Sequence, residues 1–144
     1  MTEPRLIIPA LGSLYAGLRT PMETLLRLAA GALLAVHGYG KIINPFGAVD
    51  MVQGLGFYPG VFWSPLLSAT EFFGGIFLTL GFLTRPAALA ASIVLLVTVY
   101  AHGFAWGDGL AGAEKSVLWA AITLYFVVRG ANAWSVDARI GRQF

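Results

Sequence analysis

The chain contains no cysteine. That excludes disulfides, a thiolate nucleophile and a self-contained iron–sulfur cluster. Charge is scarce too: only 11% of the 144 residues are charged, where soluble domains carry about 25%. The net charge of +2 is too small to suggest nucleic acid as a partner, and the isoelectric point near 9.2 overstates it. No HExxH, GxSxG or Walker pattern occurs, so zinc-protease, serine-hydrolase and P-loop chemistry have no support. What fills the chain is apolar: 58% of residues are hydrophobic, with a mean hydropathy of +0.77. So short a chain struggles to hide that much apolar surface from water, because small folds bury a smaller share of their area. The solvent it implies is a bilayer.

Four stretches are long and apolar enough to be read as membrane-crossing helices, which take about 20 residues each. They run from Met22 to Lys41, Ser64 to Leu83, Pro86 to Trp106 and Glu114 to Arg129. The last is the shortest, sitting nearly upright or extending past Glu114 at its start. Barrel strands would need strict alternation over about 9–11 residues, and none of these runs alternates. Prolines 21, 65 and 86 fall at the expected helix entrances, where the missing N–H costs nothing. Residues 1–20 do not read as a signal peptide. Ile7, Ile8, Leu11, Leu14, Tyr15 and Leu18 recur there at helical spacing, which predicts an amphipathic helix lying in the interface. The aromatic connection around Phe46, Phe57, Tyr58, Phe62 and Trp63 is expected at headgroup level or folded back on the bundle.

The expected fold is therefore an all-α membrane protein: a four-transmembrane-helix bundle over 21–130, an interfacial helix over 1–20 and a cytoplasmic tail over 131–144. With four spans, both termini and the loop between spans two and three share one side. That side holds Arg5, Arg19, Arg85, Arg129, Arg139 and Arg142, against Lys41 and Lys115 on the other. Six cations against two predict that both termini are cytoplasmic.

Polar groups inside spans are costly, so each is a functional candidate to be weighed against packing. Arg27, Gly31, Leu34, Gly38 and Lys41 share one face of the first span, with His37 at its edge. Glu71 shares a face with Gly75 and Leu78. His102 ends a stripe through Ala91, Leu95 and Thr98, and Glu114, Leu118, Ala121 and Tyr125 align on the fourth span. His37 and His102 each lie about 6 Å from the outer end of their span, with Glu71 about one turn deeper. Glu71, His37 and His102 are the candidate catalytic residues. Lys41, Glu114, Tyr125 and Arg27 are the candidates for binding substrate or quinone. Against this stands the plainer reading of Glu71 as a carboxylate pairing two helices, and of Arg27 as a cation that pairs with Glu71 or snorkels to headgroups.

The motifs resemble those of the DoxX family of small bacterial membrane proteins. The resemblance rests on His37-Gly38-Tyr39-Gly40-Lys41 after Arg27; on Glu71-Phe72-Phe73-Gly74-Gly75 continuing to Leu80-Gly81-Phe82-Leu83-Thr84-Arg85-Pro86-Ala87-Ala88; on His102-Gly103-Phe104 followed by Glu114; and on Arg129-Gly130 with Ser135-Val136-Asp137. It covers roughly 22–140. It implies a four-helix membrane protein linked to redox chemistry, either thiosulfate oxidation delivering electrons to quinone or membrane complexes answering oxidative and thiol stress. With no cysteine, any thiol step needs sulfur from a substrate or partner.

The expectation is thus an integral component of a quinone-linked redox system in the bacterial inner membrane, oxidising a small substrate through an outer polar pocket. Quinone is the favoured cofactor; haem, or a metal on His37, Glu71 and His102, ranks behind it. The alternatives are a non-catalytic anchor or assembly subunit and a metal-binding or transport protein. Expected partners are the bilayer and either further copies of the chain or a membrane or periplasmic protein.

Overall fold

The computed structural model describes residues 6–143. Among them no strand occurs. After a short 3₁₀ turn at Pro9–Leu11, helix α1 spans Gly12–Ile42. A short helix α2, Val49–Gly54, lies in the connection to α3, Gly60–Leu80. Helix α4, Thr84–Tyr100, runs on into a π-helical turn at Ala101–Ala105, closed by the Trp106 N–H on the Ala101 carbonyl at 2.8 Å. Helix α5 is Gly109–Arg129, and a four-residue helix α6, Val136–Arg139, follows.

The long helices pack α1 along α3, α3 against α4 and α4 along α5, while α1 and α5 touch only sparsely. The tightest seam is α1 on α3, and small residues make it. A Cβ on Gly31 would lie 2.7 Å from the Gly75 carbonyl, and one on Gly38 would lie 2.6 Å from the Phe72 nitrogen. Such close backbone approach is how helices gain packing contact where lipid removes the hydrophobic drive. The central core is correspondingly small: Ala30, Leu78, Ala88 and Phe126. Leu33, Val36, Ile93, Leu96 and Val128 are exposed, as lipid-facing side chains are.

Among the described residues, three helices are long and apolar enough to cross a membrane: α3, α4 with its π-helical turn (Thr84–Ala105), and α5. Helix α1 is longer but is not one of them. It carries Arg19, Glu23, Arg27 and Lys41 along its length.

The helix bounds differ from the expected ones at several points. Among the described residues, no break separates the expected interfacial segment from the expected first span. Residues 1–5 lie outside the described part, and from Gly12 onward the chain continues without interruption through Pro21 into the expected first span. Pro21 removes one hydrogen bond inside the helix, but the turns on either side persist. Pro65 likewise lies inside α3 and not at its start. Helix α5 begins at Gly109, so Glu114 sits in its second turn. Finally, the residues of the expected tail pack onto the bundle through α6.

Candidate functional site

Two polar centres lie at different levels of the bundle, and each joins residues distant in sequence. The first is an ion pair between α1 and α3. Lys41, in the last turn of α1, donates from Nζ to both Oε1 and Oε2 of Glu71 at 2.7 Å. The Glu71 side chain is 5% exposed and that of Lys41 is 30% exposed. Glu71 is the twelfth residue of α3, about 16 Å from its start at the usual helical rise. It therefore sits near the middle of a membrane-length helix. Gly38 permits the pairing, because the α3 backbone at Glu71 and Phe72 lies against it.

Above the pair, Ser68 and Ser64 continue the same buried face of α3 toward its N-terminus. Ser68 donates to the Ser64 carbonyl at 2.9 Å. Ser64 donates to the Pro45 carbonyl at 2.6 Å and accepts from the Ala48 N–H at 3.2 Å. These bonds fold the start of the α1–α3 connection over α3. They leave a half-open hollow of about 240 Å³ lined by Gly40, Lys41, Asn44, Gly47 and Ala48.

The second centre lies at the C-terminal end of α3, against the middle of α1. Arg27 is 1% exposed, and its guanidinium donates to the carbonyls of Leu78 at 3.0 Å, Thr79 at 2.7 Å and Trp134 at 2.7 Å. The first two are among the last four carbonyls of α3, where intrahelical partners run out; that of Leu78 also accepts from the Gly81 N–H at 3.2 Å. Asp137 does the complementary job at the start of α4. Its carboxylate accepts from Leu83 N–H, Thr84 N–H and Thr84 Oγ1 at 2.8, 3.0 and 2.7 Å. Asn132 ties the same segment to α1 through the Thr20 carbonyl and Thr24 Oγ1. Arg27 thus belongs to a structural lock, away from Glu71.

A family model described as DoxX matches residues 22–103, more than half of the chain and a stretch that contains Arg27, His37, Lys41, Glu71 and His102. The chain is also 31% identical over 120 residues to inner membrane protein YqjF of Escherichia coli (strain K12), covering 82% of this chain and 91% of that protein. The chain belongs to the DoxX family. No solved structure matches it.

The remaining candidate residues of this DoxX chain are dispersed. His37 is exposed on α1 and meets Trp119 of α5 edge-on, with ring centroids 6.1 Å apart. His102 lies in the π-helical turn, where Nδ1 is 2.7 Å from Asp108 Oδ2 and the ring stands edge-on to Trp106 at 4.8 Å. Glu114 is exposed on α5 and makes no hydrogen bond among the described residues. Tyr125 donates to Glu23 Oε1 at 3.0 Å, beside Arg129 Nε at 3.2 Å. That places it at the Arg27 end of the bundle, apart from Lys41.

The grouping of His37, Glu71 and His102 around a metal is not assembled: among the described residues no three His, Asp or Glu side chains are placed to hold an ion. Glu71 is committed to Lys41 and His102 to Asp108. Sequence reasoning also missed the Lys41–Glu71 contact itself, the Ser64–Ser68 ladder and the Asp137 cap. The ladder had a signal, since 64, 68, 71, 75 and 78 step by four and three along one helix face. The cap had none, because nothing in a tail's sequence says which helix start it meets.

Proposed function

We propose that this chain is an integral protein of the bacterial inner membrane that serves a quinone-linked redox system, with the Lys41–Glu71 pair as its polar centre. The observation that carries the reading is a buried carboxylate at mid-helix whose partner still faces an open hollow. Nζ of Lys41 has three N–H groups, and Glu71 takes two of them. The third is left for a ligand. Intramembrane ionisable pairs of this kind mark proton and substrate paths. Glu71 would hold and release a proton, and the Ser64–Ser68 face would link it to the end of the helix.

The spare N–H of Lys41 suits a quinone carbonyl. When bound, quinone supplies the acceptor for two electrons and two protons. With no cysteine in the chain, oxidisable sulfur of the thiosulfate or thiol type comes from the substrate or from a partner. His102 would contribute through its pairing with Asp108, which fixes the imidazole tautomer. The name of the relative from Escherichia coli, an inner membrane protein, supports the location.

The test is quinone extraction from the detergent-purified chain, together with thiosulfate-driven quinone reduction in membranes carrying wild type or E71Q. Co-purifying quinone and a loss of reduction in E71Q are expected. No bound quinone, with reduction unchanged by E71Q, would overturn the reading. A second reading, a non-catalytic anchor for further copies or for a membrane or periplasmic partner, draws on the completeness of the pair, since both Glu71 oxygens are satisfied from within the chain. It predicts that E71Q lowers stability yet leaves redox activity intact, and that mild solubilisation recovers a partner.

A further inference from the structure

The charge balance at Lys41 sets a condition on what can bind there. Its ammonium faces the hollow beside Gly40, Asn44, Gly47 and Ala48. The side-chain amide of Asn44 has no hydrogen-bond partner among the described residues and lies against Gly47. A spare ammonium N–H and an unpaired amide at the rim of a small hollow suit a small anion. Yet the ammonium is already neutralised by Glu71, whose side chain is 5% exposed. A second negative charge on Lys41 would leave one buried carboxylate uncompensated, which a low-dielectric site does not tolerate.

We propose that Lys41 binds a small monovalent anion from the hollow and that Glu71 takes up one proton as the anion enters. The balance closes: one anion and one proton enter together, and the site keeps its net charge of zero. This deepens the reading above, since it rests on the same pair as the working centre and names the class of ligand it takes.

Among the described residues no other ionisable side chain is bonded to Lys41. On α1 the neighbours are His37, exposed toward Trp119, Tyr39, whose ring packs on Phe72, and Arg27, bonded to Leu78 and Thr79 near the far end of α3. Helix α2 carries Asp50, which is exposed. The buried face of α4 offers Ala87, Ala88, Ala91, Ser92 and Leu95. Its charged or titratable residues are Arg85 in the first turn, Tyr100 at its end, exposed and stacked on Phe104, and His102 in the π-helical turn, bonded to Asp108. Glu71 alone can absorb the anion's charge.

The experiment measures thermal stabilisation of the detergent-purified full chain by sodium nitrate, from about pH 5.5 to about pH 8, with ionic strength held by gluconate and a gluconate-only titration as the reference. In the wild type the apparent Kd should weaken about tenfold per pH unit, because one proton accompanies each anion. E71Q should bind nitrate more tightly at the upper pH and lose the slope, and K41M should not bind. Should E71Q fail to fold, proton uptake by the wild type in weakly buffered solution decides the matter. One proton per nitrate is expected. A Kd that does not change with pH, or K41M binding as well as wild type, would sink the inference. If that happens while quinone reduction still depends on Glu71, only the inference falls. A pH-linked Kd in a protein without quinone or redox activity would remove the redox reading and keep the anion site.

Discussion

The guanidinium of Arg27 fills the space that a side chain at Gly81 would need. Gly81 ends α3 at φ +67°, and a Cβ there would lie 2.5 Å from Ser135 Cβ and 2.8 Å from Arg27 Cζ. The Phe82 N–H reaches back to the Phe77 carbonyl at 2.9 Å, the long bond of a Schellman cap. Both the backbone and the space thus demand glycine. G81A should cost more than about 2 kcal/mol, from left-handed backbone strain together with displacement of Arg27. A thermal melt of the purified protein would read this, and an unchanged midpoint would mean that Arg27 does not occupy the turn.

Asp137 makes a separable contribution. Its carboxylate accepts three hydrogen bonds at the start of α4, while its own N–H bonds to the Gly81 carbonyl at 2.9 Å. An anion at a helix N-terminus is also favoured by the helix dipole. D137N keeps the shape and removes the charge, and should cost about 1–2 kcal/mol. The same change should raise amide exchange in the Phe82–Thr84 turn while leaving α5 protected. Uniform loss of protection across the bundle would contradict so local a role.

Across α1 and α3, the Lys41–Glu71 pair should behave as a unit. Removing one partner of a buried pair costs about 3–5 kcal/mol, because a buried charge is left alone. The cost of E71M should fall toward the lower part of that range, since the lysine it leaves behind is 30% exposed, whereas K41M strands a carboxylate that is 5% exposed. The double variant K41M/E71M should recover most of the loss, because apolar replacement of both partners is close to neutral. The cycle is measured by thermal or denaturant unfolding in detergent. Additive single effects would show that the two side chains do not act on each other.

Much of this arrangement was legible in the sequence, and for physical reasons. Helical character follows from apolar runs too long for strands, and the inward faces follow from spacing: Arg27, Gly31, Leu34, Gly38 and Lys41 do line the side of α1 that meets α3. Partner choice was not legible. Helical spacing gives depth along a span but not rotation between spans, so it does not show that the Lys41 chain, from the last turn of α1, reaches the Glu71 carboxylate. The same limit hid Asp108 as the partner of His102, because one π-helical turn resets the angle of every side chain beyond it. The break expected before Met22 failed for another reason. One proline removes one hydrogen bond, and the flanking turns of α1 outweigh it.

The absence of cysteine makes the orientation of the chain directly measurable. Lys115 is exposed near the start of α5, and Arg142 is exposed beyond α6, so single replacements at either place should leave the packing alone. Lys115 lies in the second turn of α5 and Arg142 follows the other end of that helix, which spans about 30 Å. The expectation from the distribution of arginines is that the Arg142 end faces the cytoplasm, since the positive-inside bias counts Lys and Arg near span ends. K115C should then react with a membrane-impermeant maleimide in cells whose outer membrane has been permeabilised. R142C should react only after the inner membrane is opened. With no native thiol to give background, one labelled band suffices for each variant. The reverse pattern would place the Lys41 hollow on the cytoplasmic side, and any anion reaching Glu71 would then have to come from within the cell.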